Sequence, residues 1–257
     1  MGHTLDDSNY TEVPVKRFSR IGMKNEAITE ISDKVIVESK LTIFYGDNCI
    51  SLDSCSSTGL EYLAVGHLLT KGIIKYNDDL VNIRHPIGTS EIHIEINQPE
   101  MHKDSCLKQQ IQPSLSCESH PVFTPGIICD IFFDLLKRST LFKMTGGTHA
   151  AALCDNKGIL LWHEDIGRHN AVDKIIGHAY FENVSLNNKM IALTGRINTE
   201  IIDKVVSVGV PIVSSKAPAT DMAIKIALEK RITVIGFVRD HRMTVYSGSE
   251  RIGNIIS

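Results

Sequence analysis

The spacing of apolar and polar positions changes several times along this chain, and each change marks an element. Residues 1–33 form a polar N-terminal tail with weak signals. The stretch VIVESKLTIFYG that follows predicts two short strands. In SSTGLEYLAVGHLLTKGII, Leu60, Leu63, Ala64, Leu68 and Leu69 share one broad helical face. Thr58 and Glu61 have capping-box spacing there, and Gly72 stands where a helix-ending glycine belongs. SEIHIEI alternates as a half-buried strand does. Together these predict a small N-terminal α+β domain over residues 34–98.

Periodicity then lapses. Residues 99–121 contain Pro113 and Pro121 and are dense in Ser, Gln and Lys. So long a stretch without apolar pattern predicts a linker or functional loop rather than an element. The signals sharpen again from residue 122 to 257. Thr124 and Pro125 open a helix through DIFFDLLKR, as N-cap and first helical residue. HAAALCDNKGILLWHED reads as a hairpin turning at Asp155–Gly158. Next come a helix at about 170–182, a strand KMIALTG, and a helix at about 198–208 stopped by Gly209. The strand VPIVSS, a helix near 218–230 and the strands ITVIGFV and MTVYSG complete the series. Such an order predicts an α/β layer on a mixed sheet, with a hairpin at the front and right-handed crossovers behind.

Composition narrows the classes of function. The 257 residues are 42% hydrophobic and 22% charged, an ordinary globular profile. A net charge of −3 and a pI of about 6.4 argue against a general affinity for nucleic acid or anionic membrane. No apolar run approaches the roughly 20 residues of a membrane helix, and the polar start MGHTLDDSNY lacks a secretory apolar core. The six cysteines (Cys49, Cys55, Cys106, Cys117, Cys129 and Cys154) show no C-x-x-C spacing. They read as cytoplasmic thiols, neither a disulfide frame nor a structural zinc site.

The candidate chemistry sits at strand ends, where ligands bind in sheets of this kind. Gly146, Gly147 and His149 precede the hairpin. Gly167, Arg168, His169 and Asn170 follow it, and Gly195 and Arg196 follow KMIALT. Lys216 follows VPIVSS, and Phe237, Val238, Arg239, Asp240, His241 and Arg242 end the strand ITVIGFV. Taken singly, each glycine marks a turn and each arginine covers a surface. Together, glycines that admit backbone N–H groups, helix starts and arginine forks predict a pocket for a phosphate-bearing, nucleotide-like ligand. A metal site is not predicted. His163, His169 and His178 lie six and nine residues apart, without H-E-x-x-H spacing. The element order is also that of the zinc-dependent cytidine deaminases. Their H-x-E is replaced by His149-Ala150-Ala151, however, and P-C-x-x-C is absent.

FKMTGGTHAAAL, EDIGRHNAVDKIIGHA, LTGRINTEIIDKVVSVGVPIV, KAPAT and IGFVRDHRMTVYSGSERI resemble successive signature blocks of the FdhD/NarQ family, the formate dehydrogenase accessory sulfurtransferases. EYLAVGHLLTKGII resembles its N-terminal block, so the likeness spans about residues 35–255. It implies a cytidine-deaminase-like, three-layer α/β/α C-terminal domain. It also implies passage of sulfur from a cysteine desulfurase to Mo-bis(molybdopterin guanine dinucleotide), bound here as substrate on its way to formate dehydrogenase. A homodimer is expected by the same likeness. The family's nucleotide stretch, F-x-R-x-x-R, falls on Phe237 to Arg242.

One departure bears on mechanism. The family's C-G-x-C-G motif is replaced by Asp104-Ser105-Cys106-Leu107-Lys108-Gln109, leaving a single cysteine. Cys106 alone suffices to form a persulfide, and Lys103 and Lys108 would favour its thiolate. Cys117 is the alternative nucleophile. Two function classes therefore stand: a sulfurtransferase acting through Cys106, and a chaperone that delivers the cofactor without handling sulfur.

Overall fold

In the computed structural model, residues 9–21, 25–75, 80–96 and 123–253 are described. Their strands sort into three sheets. Strands β1 (Tyr10–Ile21) and β2 (Asn25–Ile36) form a two-stranded sheet among the described residues, in antiparallel register from Tyr10↔Ile36 to Ile21↔Asn25. Strands β3 (Ser39–Tyr45), β4 (Asn48–Cys55), β5 (Leu80–Arg84) and β6 (Glu91–Ile96) form a second sheet in the order β4-β3-β6-β5. Helix α1 (Leu60–Thr70) lies between β4 and β5 in the chain, and the β3–β6 pairing is parallel.

The third sheet holds β7 (His149–Asp155), β8 (Gly158–Asp165), β9 (Met190–Leu193), β10 (Ile212–Ser215), β11 (Thr233–Arg239) and β12 (Arg242–Ser247), in the order β12-β11-β10-β9-β7-β8. Strands β9, β10 and β11 run parallel, while β7, β8 and β12 join antiparallel. The interleaved helices are α2 (Pro125–Arg138), α3 (Thr140–Thr145), α4 (Arg168–Phe181), α5 (Thr199–Ser207) and α6 (Asp221–Glu229). The fold class is thus mixed α/β, as the alternation of elements predicts.

Side-chain alternation along the strands decides the layers. Ala150, Ala152, Met190, Ala192, Ile212 and Ile235 face Ile128, Ile131, Phe132 and Leu135 of α2. The intervening residues, Ala151, Leu153, Ile191, Leu193, Val213 and Val234, join α4, α5 and α6 in a second core. That second core continues without a break through α1 into Leu41, Ile43, Ile92 and Ile94 of the N-terminal sheet. The two halves of the chain share it.

A glycine pair makes the shared core possible. A Cβ on Gly66 of α1 would stand 1.8 Å from the carbonyl oxygen of Asp173, and one on Gly177 of α4 would stand 2.0 Å from that of Tyr62. The helices therefore cross backbone against backbone. Two buried ionic groups flank the crossing. Lys174 Nζ lies 2.5 Å from Asp165 Oδ2 and 2.7 Å from Ser56 Oγ. Lys204 Nζ lies 2.8 Å from both carboxylate oxygens of Asp173, which also meets His67 Nδ1 at 3.1 Å and accepts from Thr70 Oγ1 at 3.0 Å. Each charge thus has a counter-charge and further hydrogen bonds, the condition for burying an ion at tolerable cost.

Most sequence-predicted boundaries hold. Thr124 Oγ1 accepts from Ile127 N, with Pro125 at the first helical position. Gly72, at φ 68°, closes α1 by donating to Leu69 O. Two expectations fail. Residues 10–21 and 25–36, which overlap the expected polar tail of residues 1–33, form strands β1 and β2. Val13, Phe18, Ile28 and Val35 in these strands are exposed, so they carry no inward-facing signal. Thr58 does not cap α1: the chain enters through Gly59 in the left-handed region, without a side-chain cap, and Glu61 Oε1 lies 2.6 Å from His85 Nδ1 instead.

Candidate functional site

The sheet directions bring the candidate residues to one end. The carboxyl ends of β8, β9, β10 and β11 and the amino ends of β7 and β12 share that end. His149, Gly167 and Arg168, Gly195 and Arg196, Lys216 and the Phe237-to-Arg242 segment therefore line one rim. From β7 to β11 is three strand spacings, about 14 Å.

At the β7–β8 side, most of the predicted groups are engaged within the protein. Gly146, at φ 67°, ends α3, and a Cβ on Gly147 would meet Ile36 Cγ2 at 2.7 Å. Gly167 N and Asn170 Nδ2 both donate to Asp165 Oδ1, at 2.9 and 3.0 Å, and Asn170 Nδ2 also donates to Ser54 O at 2.7 Å. His169 lies between Asn198 Oδ1 at 3.2 Å and Glu200 Oε2 at 3.3 Å. Asn198 Oδ1 at the same time caps α5 by accepting from Ile201 N. These contacts fix the entrance of α4 against the start of α5.

Two groups on this side are less engaged. Arg168 crosses Gly195, where a Cβ would fall 2.8 Å from Arg168 Cδ, and Arg168 Nε is buried without a hydrogen-bond partner among the described residues. His149 Nδ1 lies 3.5 Å from Thr194 Oγ1. Burial, followed by the charges of Arg168 and His169, holds the His149 imidazole below its ordinary range. Burial likewise lowers His169, against the opposing pull of Asn198 and Glu200.

The β11–β12 side differs. Phe237, Asp240 and His241 all have positive φ, 53°, 50° and 59°, and the register shifts between Gly236 and Arg239. Asp240 and His241 make the turn, so Arg239 and Arg242 face each other as cross-strand partners. Arg239 stacks its guanidinium over the Phe237 ring, 5.4 Å from the centroid. Beside this turn lies a cleft of about 460 Å³. Helix α2 supplies one wall with Asp130, Phe132 and Phe133; Lys216, Val238 and the turn supply the other. Cys129 also borders it, its thiol pushed up by burial and by Asp130. Among the described residues, Asp130, Lys216, Asp240, His241 and Arg242 make no side-chain hydrogen bond or ion pair. Arg196 on the rim is exposed.

The strand directions therefore bring the strand-end candidates to one rim, and their hydrogen bonds divide them into engaged and unengaged groups, while Gly146 and Gly147 lie at the end of α3 and against Ile36 of β2. The structure adds Asp130 and Phe133, which the sequence analysis did not single out. Their helical spacing reads equally well as an ordinary solvent face. Cys106 and Cys117 lie outside the described residues. His163 and His178 meet at 3.0 Å, with Tyr62 stacked on His178. Among the described residues, no three His, Cys, Asp or Glu side chains converge as metal ligands, and no helix is long and apolar enough to cross a membrane.

The profile of the FdhD/NarQ family matches residues 36–253. A protein of Bacillus subtilis (strain 168) named sulfur carrier protein FdhD is 32% identical over 242 residues, covering 88% of this chain and 92% of its own. Its namesake in Listeria monocytogenes serotype 4b (strain F2365) is 33% identical, covering 87% and 93%. The crystal structure of a formate dehydrogenase accessory protein from Desulfotalea psychrophila superposes with a TM-score of 0.77 at 23% identity. It covers 94% of this chain and 99% of that one, a likeness of fold.

Proposed function

The chain belongs to the FdhD/NarQ family, and we propose that it is a sulfur carrier serving formate dehydrogenase, holding a guanine-nucleotide cofactor at the rim of its large sheet while sulfur is delivered. The observation that carries this reading is the contrast between the two sides of the rim. On the α4 side, side chains spend their polar groups on one another. At the β11–β12 turn, Lys216, Arg239 and Arg242 gather beside a cleft, and among the described residues no carboxylate is bonded to them. Asp130 and Asp240 line the same cleft, but exposed cations that outnumber them and are tied up in no ion pair suit an anionic ligand, and two arginine forks suit phosphate. Arg168, with its buried free Nε, supplies a further donor along the same rim. A rim of this length suits an extended ligand such as Mo-bis(molybdopterin guanine dinucleotide), the substrate of the transfer.

In this reading a cysteine desulfurase supplies the sulfur. The Cys106 thiolate attacks the outer sulfur of the desulfurase persulfide, whose own cysteine leaves as thiolate. Lys103 and Lys108 favour the reactive anion by proximity in sequence. Cys106 lies seventeen positions before Phe123, a contour of roughly 56 Å when extended. Phe123 begins the segment that leads into α2, a wall of the cleft, so the tether is long enough to bring the cysteine to it. The single cysteine favours a second reading, a chaperone that delivers the cofactor without carrying sulfur.

Calorimetric titration with GDP tests the nucleotide site. Arg242→Ala is expected to bind about tenfold more weakly or worse, since a charge-assisted hydrogen bond is worth about 1.5–3 kcal/mol. Arg242→Lys should recover only part of that, because an ammonium cannot reproduce the fork. Parent-like affinity in Arg242→Ala would move the site elsewhere.

A further inference from the structure

Phosphates account for Lys216, Arg239 and Arg242, but not for Asp130 or Phe133. Asp130 is a carboxylate on the wall of a cleft whose opposite side is cationic, and among the described residues nothing hydrogen-bonds it. An anion there repels phosphate and is useful only to a ligand that also presents donors. Phe133, 76% exposed, holds a large apolar ring to solvent beside the same cleft. The two residues are three apart on α2, so they lie next to each other on its surface.

Resting on the guanine-nucleotide reading above, we propose that α2 is the base-reading wall: Phe133 stacks on the guanine ring, and Asp130 accepts hydrogen bonds from its N1–H and its exocyclic amino group. The division of labour follows from where the groups stand. Phosphates meet the cations at the strand ends, and the base turns toward the helix. Asp240 is less suited to the reading role, because Arg239, His241 and Arg242 flank it in sequence and balance its charge. A carboxylate discriminates among purines by their edges. Guanine offers two adjacent donors, hypoxanthine only N1–H. Adenine turns the lone pair of N1 toward the carboxylate and is repelled. Stacking is indifferent to these edges, because every base has a π-face.

Calorimetric titration of the full-length parent, Asp130→Asn and Phe133→Ala with GDP, IDP and ADP tests the assignment. Both positions are exposed, and circular dichroism verifies that each variant is folded. The parent should rank GDP above IDP above ADP. In Asp130→Asn, GDP should weaken by about tenfold or more and IDP by less, so that the GDP-to-IDP ratio falls toward one. In Phe133→Ala all three should weaken by similar factors with their ranking kept. A parent that binds GDP and IDP equally, or an Asp130→Asn variant that keeps the parent's ratio, overturns the proposal while leaving the nucleotide site in place. A parent that binds none of the three overturns the nucleotide site, and the base-reading role with it.

Discussion

Gly66→Ala adds one methyl group at the α1–α4 crossing, and two effects of opposite sign compete there. Alanine is the better helix former, by roughly 0.5–1 kcal/mol. Against that, the new Cβ would lie 1.8 Å from Asp173 O and 2.9 Å from Gly177 N. Carbon–oxygen contacts settle near about 3.3–3.6 Å, so the helices must part by about 1.5 Å. A gap of 0.5–1 Å already forfeits a quarter to a half of the dispersion energy of the atoms that line it, and Leu60, Leu63 and Leu68 pack in that core. Overpacking of this kind costs about 3 kcal/mol or more, which outweighs the propensity gain. Net of that gain the loss is about 2–2.5 kcal/mol or more, so at roughly 2–4 °C per kcal/mol the midpoint should fall by about 4–10 °C. Gly72→Ala is the contrast: its φ is 68° but no atom lies within 4 Å of the added Cβ, so only the left-handed backbone cost of about 1–2 kcal/mol applies.

Urea titration followed by far-ultraviolet circular dichroism and by fluorescence of Trp162 reads both magnitude and coupling. Trp162, the chain's one tryptophan, lies on β8 in the large sheet, whereas Gly66 lies in the N-terminal half. Because one core spans both, the two signals should shift together. A Gly66→Ala variant more stable than the parent would refute the crossing. A displaced dichroism transition with an unmoved Trp162 transition would refute the shared core.

Cys106→Ser should abolish protein-bound persulfide after incubation with a cysteine desulfurase and cysteine, as read by mass spectrometry of the intact chain; persulfide retained at Cys117 would transfer the role to that residue. His149 and His169 are held below the usual histidine range by burial, so between pH 6.5 and their folded values the unfolded chain binds more protons and stability falls with falling pH. His85, raised by its hydrogen bond to Glu61, works in the opposite sense, so the diagnostic quantity is the difference between variant and parent. His149→Gln should flatten the loss of melting temperature between pH 7.5 and 5.5, and an unchanged slope would place His149 outside the cause.

What was legible in the sequence depended on whether a residue's duty was local. The N-cap at Thr124, the hairpin turn at Asp155–Gly158 and the helix-ending Gly72 follow from neighbours a few positions away, and the structure has all three. The strand-end rim was legible too, because sheet direction alone assembles it. Duties that reach across the chain were not. Nothing near Gly66 announces that Asp173 will lie against it, and nothing in HEDIGRHN separates Asn170, bonded to Ser54 O on a distant strand, from Arg168, whose Nε is left free. Both readings put polar groups at a helix start; only the partner 116 positions away tells them apart. The same reasoning explains Asp130 and Phe133. On α2 they look like an ordinary solvent face until β11 and β12 place Arg239 opposite them. A polar group at a rim indicates a ligand when the fold leaves it unspent, and that is a property of the whole chain rather than of any motif.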